Sequence, residues 1–155
     1  METLNLDLGI KEYQLTEKGI LRFNPSDPNV YNRFLNAEKD IRSVEQESAS
    51  KANTESGDIG ETAIRIMAEA DGKIKDILNH IFGHGNNFHS ILEGVNVLAV
   101  GSNGNRIISN LLDVLTPIMK QGAKDFADGK VAEAKLNRAQ RRMVGIGHES
   151  VEAAP

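Results

Sequence analysis

A chain of 155 residues, 39% hydrophobic and 26% charged, is long enough to bury one core and too short for two. With aromatics at 5% and no tryptophan, that core has to come from Ile, Leu, Val, Ala and Met, which suits packed helices better than an aromatic-rich sandwich. A formal net charge of −4 argues against a dedicated nucleic-acid binder, and the absence of cysteine excludes disulfides, thiolate nucleophiles and cysteine-ligated metals together.

A reducing compartment suits a cysteine-free chain. The opening METLNLDLGIKEY carries acids and alternating leucines where a signal peptide would carry a basic stretch and an apolar block. No apolar run approaches the length of a membrane span. Cytoplasm is the expectation, a host cell's cytoplasm included.

Leu4, Leu6, Leu8 and Ile10 alternate with polar residues, the period of a half-buried strand. The phase changes after Gly9, and Tyr13 and Leu15 lead into a turn-like Thr16-Glu17-Lys18-Gly19 before Ile20-Leu21-Arg22-Phe23. Residues 4–23 therefore read as a small antiparallel hairpin or meander, which must lie on something else to be stable. Asn24-Pro25-Ser26-Asp27-Pro28 punctuates the chain and starts a helix, with Ser26 or Asp27 as cap and Pro28 where a missing N–H costs nothing. Val30, Phe34, Ala37, Ile41 and Val44 then make one stripe, and Glu38 and Arg42 an i,i+4 pair. The following EQESASKANTESG offers nothing apolar larger than Ala, so a flexible connection is expected.

Asp58 with Glu61 three residues on forms a capping box, and Ala63, Met67, Ala70, Ile74, Ile77 and Ile81 form the next stripe, widened by Ile64, Leu78 and Phe82. Gly72 predicts a bend or break, and Gly83 the helix end. Phe88 to Glu93 predicts a short helix, Val95 to Val100 a strand or extended connection, and Gly101 to Asn105 a loop. Ile107, Ile108, Leu111, Leu112, Leu115, Ile118 and Met119 give a third long helix its wide apolar face, with Pro117 expected to kink or end it.

The elements add up to one domain over residues 1–145, with a β hairpin at 4–23, a helix at 27–46 and a flexible connection at 47–57. A helix at 58–83, a short helix and extended segment at 87–100, and kinked or broken helices at 105–142 follow, before a disordered tail at 146–155. The fold class is mainly α with a small N-terminal antiparallel β element, an α+β fold whose helices pack as an irregular bundle.

Signals for chemistry are weak. His80 and His84 have a metal-like spacing and His89 lies near, but Gly83 should end the helix between the first two, and no carboxylate lies inside the cluster. Solvated or capping histidines are the expectation. Val95–Val100 followed by GSNGNRIIS has the layout of a phosphate cradle, yet Asn105-Arg106 stands where a phosphate loop needs Lys and Ser or Thr. Lys130, Lys135, Arg138, Arg141 and Arg142 make the C-terminal helix basic, without the interleaved aromatics of a single-strand platform. Nothing proposes a Ser/His/Asp set, a metal or a cofactor, and the reading is a non-catalytic interaction protein rather than an enzyme.

The order of parts resembles the tail assembly chaperones of long-tailed bacteriophages, especially those of Gram-positive hosts. The resemblance covers about residues 4 to 142 and rests on the opening β segment, Asn24-Pro25-Ser26-Asp27-Pro28 leading into a helix, and a second helix ending Ile81-Phe82-Gly83-His84-Gly85. It continues with Gly94-Val95-Asn96, the Leu111–Met119 helix with its proline, and Arg138-Ala139-Gln140-Arg141-Arg142. It implies a protein that binds and solubilises the helical tape measure protein, helps recruit tail tube subunits, and is absent from the finished virion. Ile74, Leu78, Phe82, Phe88, Leu111 and Leu115 are the expected client contacts, chosen from the apolar excess. A homo-oligomer is also open, a membrane partner is not, and two alternatives stand beside the chaperone: a structural tail or head-completion protein, and a small nucleic-acid-binding regulator using the C-terminal basic helix.

Overall fold

The computed structural model describes residues 1–54, 59–83 and 85–152; for residues 53, 54, 59, 130–132 and 144–152 only the main chain is described. It is mainly helical with a two-stranded antiparallel hairpin near the N-terminus, the expected class. Strands β1 (Lys11–Gln14) and β2 (Ile20–Phe23) are followed by helices α1 (Pro28–Thr54), α2 (Ile59–Phe82), α3 (Phe88–Ile91) and α4 (Ile107–Glu152). No helix among the described residues is long and apolar enough to cross a membrane.

Lys11 faces Phe23 and Tyr13 faces Leu21, so the buried Leu21 and Phe23 point to one side of the hairpin. That side lands on the end of α2. Ring centroids step from Tyr13 to Phe23 at 5.4 Å, from Phe23 to Phe82 at 4.8 Å and from Phe82 to Phe88 at 5.7 Å. Such tilted and edge contacts suit aromatic quadrupoles and supply the support a two-stranded hairpin lacks by itself. Contrary to expectation, residues 4–10 join no strand. Gly9 has φ +66°, which breaks the strand geometry, and β2 ends at Phe23 opposite Lys11 because Pro25 turns the chain into α1.

Helices α1 and α2 pack against each other along the predicted stripes: Val30, Phe34, Ala37 and Ile41 are buried, as are Ala70, Ile74, Leu78 and Ile81. Helix α1 runs eight residues beyond the expected end at 46. The extension keeps half-buried Val44, Ser48 and Lys51 on one face, Ser48 Oγ donates to the Val44 carbonyl at 2.7 Å, and Lys51 pairs with Glu47 at 3.2 Å. Polar residues thus continue the helix beyond the end of its bulky apolar stripe. Residues 55–58, including the expected cap Asp58, lie outside the described residues. Gly72 causes no break, because buried Ala70 and Ile74 hold the helix on both sides of it. Gly83, at φ +85°, ends it as expected.

Residues 92–106 are a connector rather than a strand, with Val97 and Leu98 buried and a single bridge between Val100 and Arg106. Helix α4 then continues through Pro117. Pro117 is exposed, as is Asp113, whose carbonyl loses its helical donor, while fully buried Leu115 and Met119 fix the helix on either side. The tail expected to be disordered is helical to Glu152; residues 153–155 lie outside the described residues.

Candidate interaction surface

The six expected client contacts are core residues. Ile74, Leu78, Phe88 and Leu115 are fully buried, and Phe82 and Leu111 are nearly so. Apolar excess marked them in the sequence, and the folded chain uses that excess to hold its own helices together. Contact surfaces must be sought where apolar side chains remain uncovered, and two regions stand out.

The first is the N-terminal arm, residues 1–10, which carries exposed Leu4, Leu6, Leu8 and Ile10. Only its root is tied down: Asn24 Nδ2 donates to the Leu8 carbonyl at 2.9 Å, and Gly9 N–H donates to Asp7 Oδ1 at 2.8 Å. Leu8 and Ile10 form one wall of a cavity of about 460 Å³ whose other walls include Phe23, Val30 and Phe82. The outer edge of β2 is closed by a side chain. Asn86, itself buried, accepts from Arg22 N–H at 2.9 Å and donates to the Arg22 carbonyl at 2.7 Å, as a neighbouring strand would.

The second region is the distal half of α4. The helix buries Ile108, Leu111, Leu115 and Met119, and Gly122 approaches so closely that a Cβ there would collide with the Pro25 carbonyl oxygen. From Lys124 to Met143 every described side chain is exposed, Phe126, Leu136 and Met143 among them. Thirty residues from Ala123 to Glu152 make about 45 Å of helix at 1.5 Å per residue. Residues 129–143 carry five cations against the single acid Glu133, and Lys135, Arg138, Arg141 and Arg142 stand in solvent.

The sites of possible chemistry are built for holding the fold. Lys75 is almost completely buried on α2; its Nζ donates to Asp71 Oδ2 at 3.0 Å and to the Val95 carbonyl at 2.9 Å. Asp71 Oδ1 in turn accepts from Val97 N–H at 2.8 Å, so one ion pair clamps the connector onto α2. The first amides of α4 are already used: Ile107 N–H donates to Ala99 and Ile108 N–H to Val97, at 2.9 and 2.8 Å. The Gly101–Asn105 loop bonds to itself through Gly101 N–H to Asn105 and Gly104 N–H to Gly101, at 2.8 and 3.0 Å. The phosphate-cradle layout is therefore a clasp whose donors point inward.

His80 is exposed, His84 lies outside the described residues, and His89 Nε2 stands 3.7 Å from Asp76 Oδ1 at the surface. Among the described residues no three His, Cys, Asp or Glu side chains cluster as a metal site would need. Among the described residues two groups have displaced proton affinities. The hydrogen bond from Lys51, with the charges of Lys73 and Lys51, lowers the Glu47 carboxyl below the ordinary range, and burial raises the Tyr13 phenol.

Comparison with protein-family models, with curated proteins and with solved structures found no match. Asn86, Lys75 and Asp71 went unnoticed in the sequence. Their partners lie 64, 20 and 26 residues away, and a single polar side chain at such a distance leaves no periodic signal. The alternating arm was visible in sequence, and only its lack of a partner strand was not.

Proposed function

We propose that this protein is a non-catalytic tail assembly chaperone of a long-tailed bacteriophage, which binds the helical tape measure protein and keeps it soluble while tail tube subunits are recruited. The observation that carries the reading is the distal half of α4, a helix bearing exposed Leu136 and Met143 beside a run of cations. A long amphipathic client exposes an apolar stripe that water penalises, and a helix laid alongside covers it reversibly. The cations favour a client with acidic flanks and speed the encounter. The order of elements that resembles this family supports the same reading. The protein would work in the host cytoplasm and stay out of the finished particle.

Co-expression of the full chain with a candidate tape measure protein tests it. The client's soluble fraction should rise, and the Leu136→Glu, Met143→Glu double variant should lose the effect while its own melting curve stays unchanged. An unchanged client, or protein retained stoichiometrically in purified particles, would count against a chaperone; the second outcome would favour a structural tail or head-completion component. The exposed cations of α4 favour one other reading, a nucleic-acid-binding regulator. Its mark would be salt-sensitive DNA binding that disappears when Arg138, Arg141 and Arg142 are replaced.

A further inference from the structure

We propose that the N-terminal arm is a docking strand for the same arm of a second copy, the two pairing antiparallel with Leu6 on the two-fold axis. The inference is independent of the client reading above. Leu4, Leu6, Leu8 and Ile10 are 89, 81, 60 and 44% exposed, a density of uncovered apolar side chains found in no other ten-residue stretch of the described chain. Leu4, Leu6 and Leu8 occupy every second position ahead of the bend at Gly9, so an extended arm presents those three on one side. Among the described residues, nothing but the Asn24 side chain on the Leu8 carbonyl and Asp7 on the Gly9 N–H engages the main chain of residues 2–9, and the N–H and C=O groups of residues 3–7 stay open. The arm's own sheet cannot take it, because β2 has already turned away at Asn24.

The arm's sequence fits a copy of itself. A pairing centred on Leu6 sets Leu4 against Leu8 in both directions and Asn5 against Asp7, which brings no like charges together. A slip of two residues one way opposes Asp7 to Asp7; a slip the other way leaves only Leu4 and Leu6 facing each other and sets Glu2 against Leu8. An odd slip puts every leucine opposite a polar residue or Gly9. In the centred register Leu4 of the second copy arrives beside Leu8, at the cavity bounded by Ile10, Phe23, Val30 and Phe82, so the apolar side of the paired arms is covered by the two bodies. The Asn86 carboxamide on Arg22 closes β2, the far edge of the sheet, so pairing through the arms ends at two copies instead of growing into a fibre.

Because the chain contains no cysteine, a single introduced thiol reports on the pairing without interference. Directly opposed residues of antiparallel strands bring Cα atoms to about 4.5–5.5 Å, inside the range a disulfide spans. Under mild oxidation the full-length Leu6→Cys variant should form a covalent dimer about tenfold or more faster than Ile64→Cys, a control at an exposed position on α2. A mixture of Leu4→Cys and Leu8→Cys should cross-link far faster than either alone. Sedimentation velocity of the unaltered chain should show a concentration-dependent dimer, since five paired residues in each arm make a small interface. Leu6→Lys should abolish that dimer with unchanged circular dichroism and melting. Cross-linking of Leu6→Cys no faster than Ile64→Cys overturns the proposal, and so does a strictly monomeric unaltered chain. Protection of the Leu6→Cys thiol by a tape measure client in place of a second copy also overturns it, while leaving the client reading standing.

Discussion

The two halves of α4 are one continuous helix made in two different ways. Between Ile107 and Gly122 buried residues recur three or four apart, at Ile108, Leu111, Leu115, Met119 and Gly122. Beyond Ala123 the large apolar residues with described side chains are Phe126, Leu136 and Met143, ten and then seven apart, and Leu136 and Met143 are largely exposed. Packing holds the proximal half even across a proline. The distal half is held by the backbone preference of AEAKLNRAQRR and its neighbours, a weaker cause. Helical propensity and a place in the core are separate properties, and here one element displays each without the other.

Leucine truncation tests this contrast with the largest expected effect. Leu115→Ala should lower unfolding stability by about 2–5 kcal/mol, by lost burial and a residual cavity, whereas Leu136→Ala should stay within about 0.5 kcal/mol of the parent in the same denaturant titration. Comparable losses would mean that the distal half is packed after all. Removal of the clamp that starts the proximal half comes next. Asp71→Ala leaves Lys75 buried without its counter-ion and should cost about 3 kcal/mol, with faster amide exchange at Ile107 and Ile108, whose acceptors sit on the released connector. Slow exchange retained at both amides would show that α4 starts without the clamp.

The helix also offers a matched pair of glycines. Gly122→Ala drives a methyl group into the Pro25 carbonyl and should destabilise by about 1–3 kcal/mol. Gly129→Ala meets open space and should raise distal helicity, with a gain of up to about 1 kcal/mol in local helix stability. Opposite signs for one chemical change would sharpen the distinction; equal signs would break it. The smallest effect belongs to Glu47, outside both halves. Its carboxyl titrates below the ordinary range when folded, so its ion contacts stabilise above the unfolded titration midpoint and are lost as pH falls through the folded one. Carbon-detected titration should find that lowered midpoint, and replacement of Lys51 and Lys73 by Met should return it towards the normal value.

Much of the body was legible because it is periodic. The stripes Val30–Ile41 and Ala70–Ile81 became the α1–α2 interface, and Gly83 ended α2 for the backbone reason its type suggests. Extent was harder to read. Ser48 and Lys51 prolong α1 through a backbone bond and an ion pair rather than through oil, and Pro117 is tolerated because it faces water. Partner residues were harder still, since Ile74, Leu78 and Leu115 look the same whether they meet a sibling helix or a foreign one. Leu4 to Ile10 have the opposite history: their alternation reads as a strand, and nothing local reveals that the chain supplies no neighbour for it.

Asn86 sets a schedule for the newborn chain. Arg22 leaves the ribosome 64 residues before the side chain that satisfies its outward-facing amide and carbonyl, an interval of about 3–13 s at ordinary translation speeds. Throughout that wait the hairpin's sticky rim is open to whatever the crowded cell brings against it, and it closes only when the far end of α2 has been made.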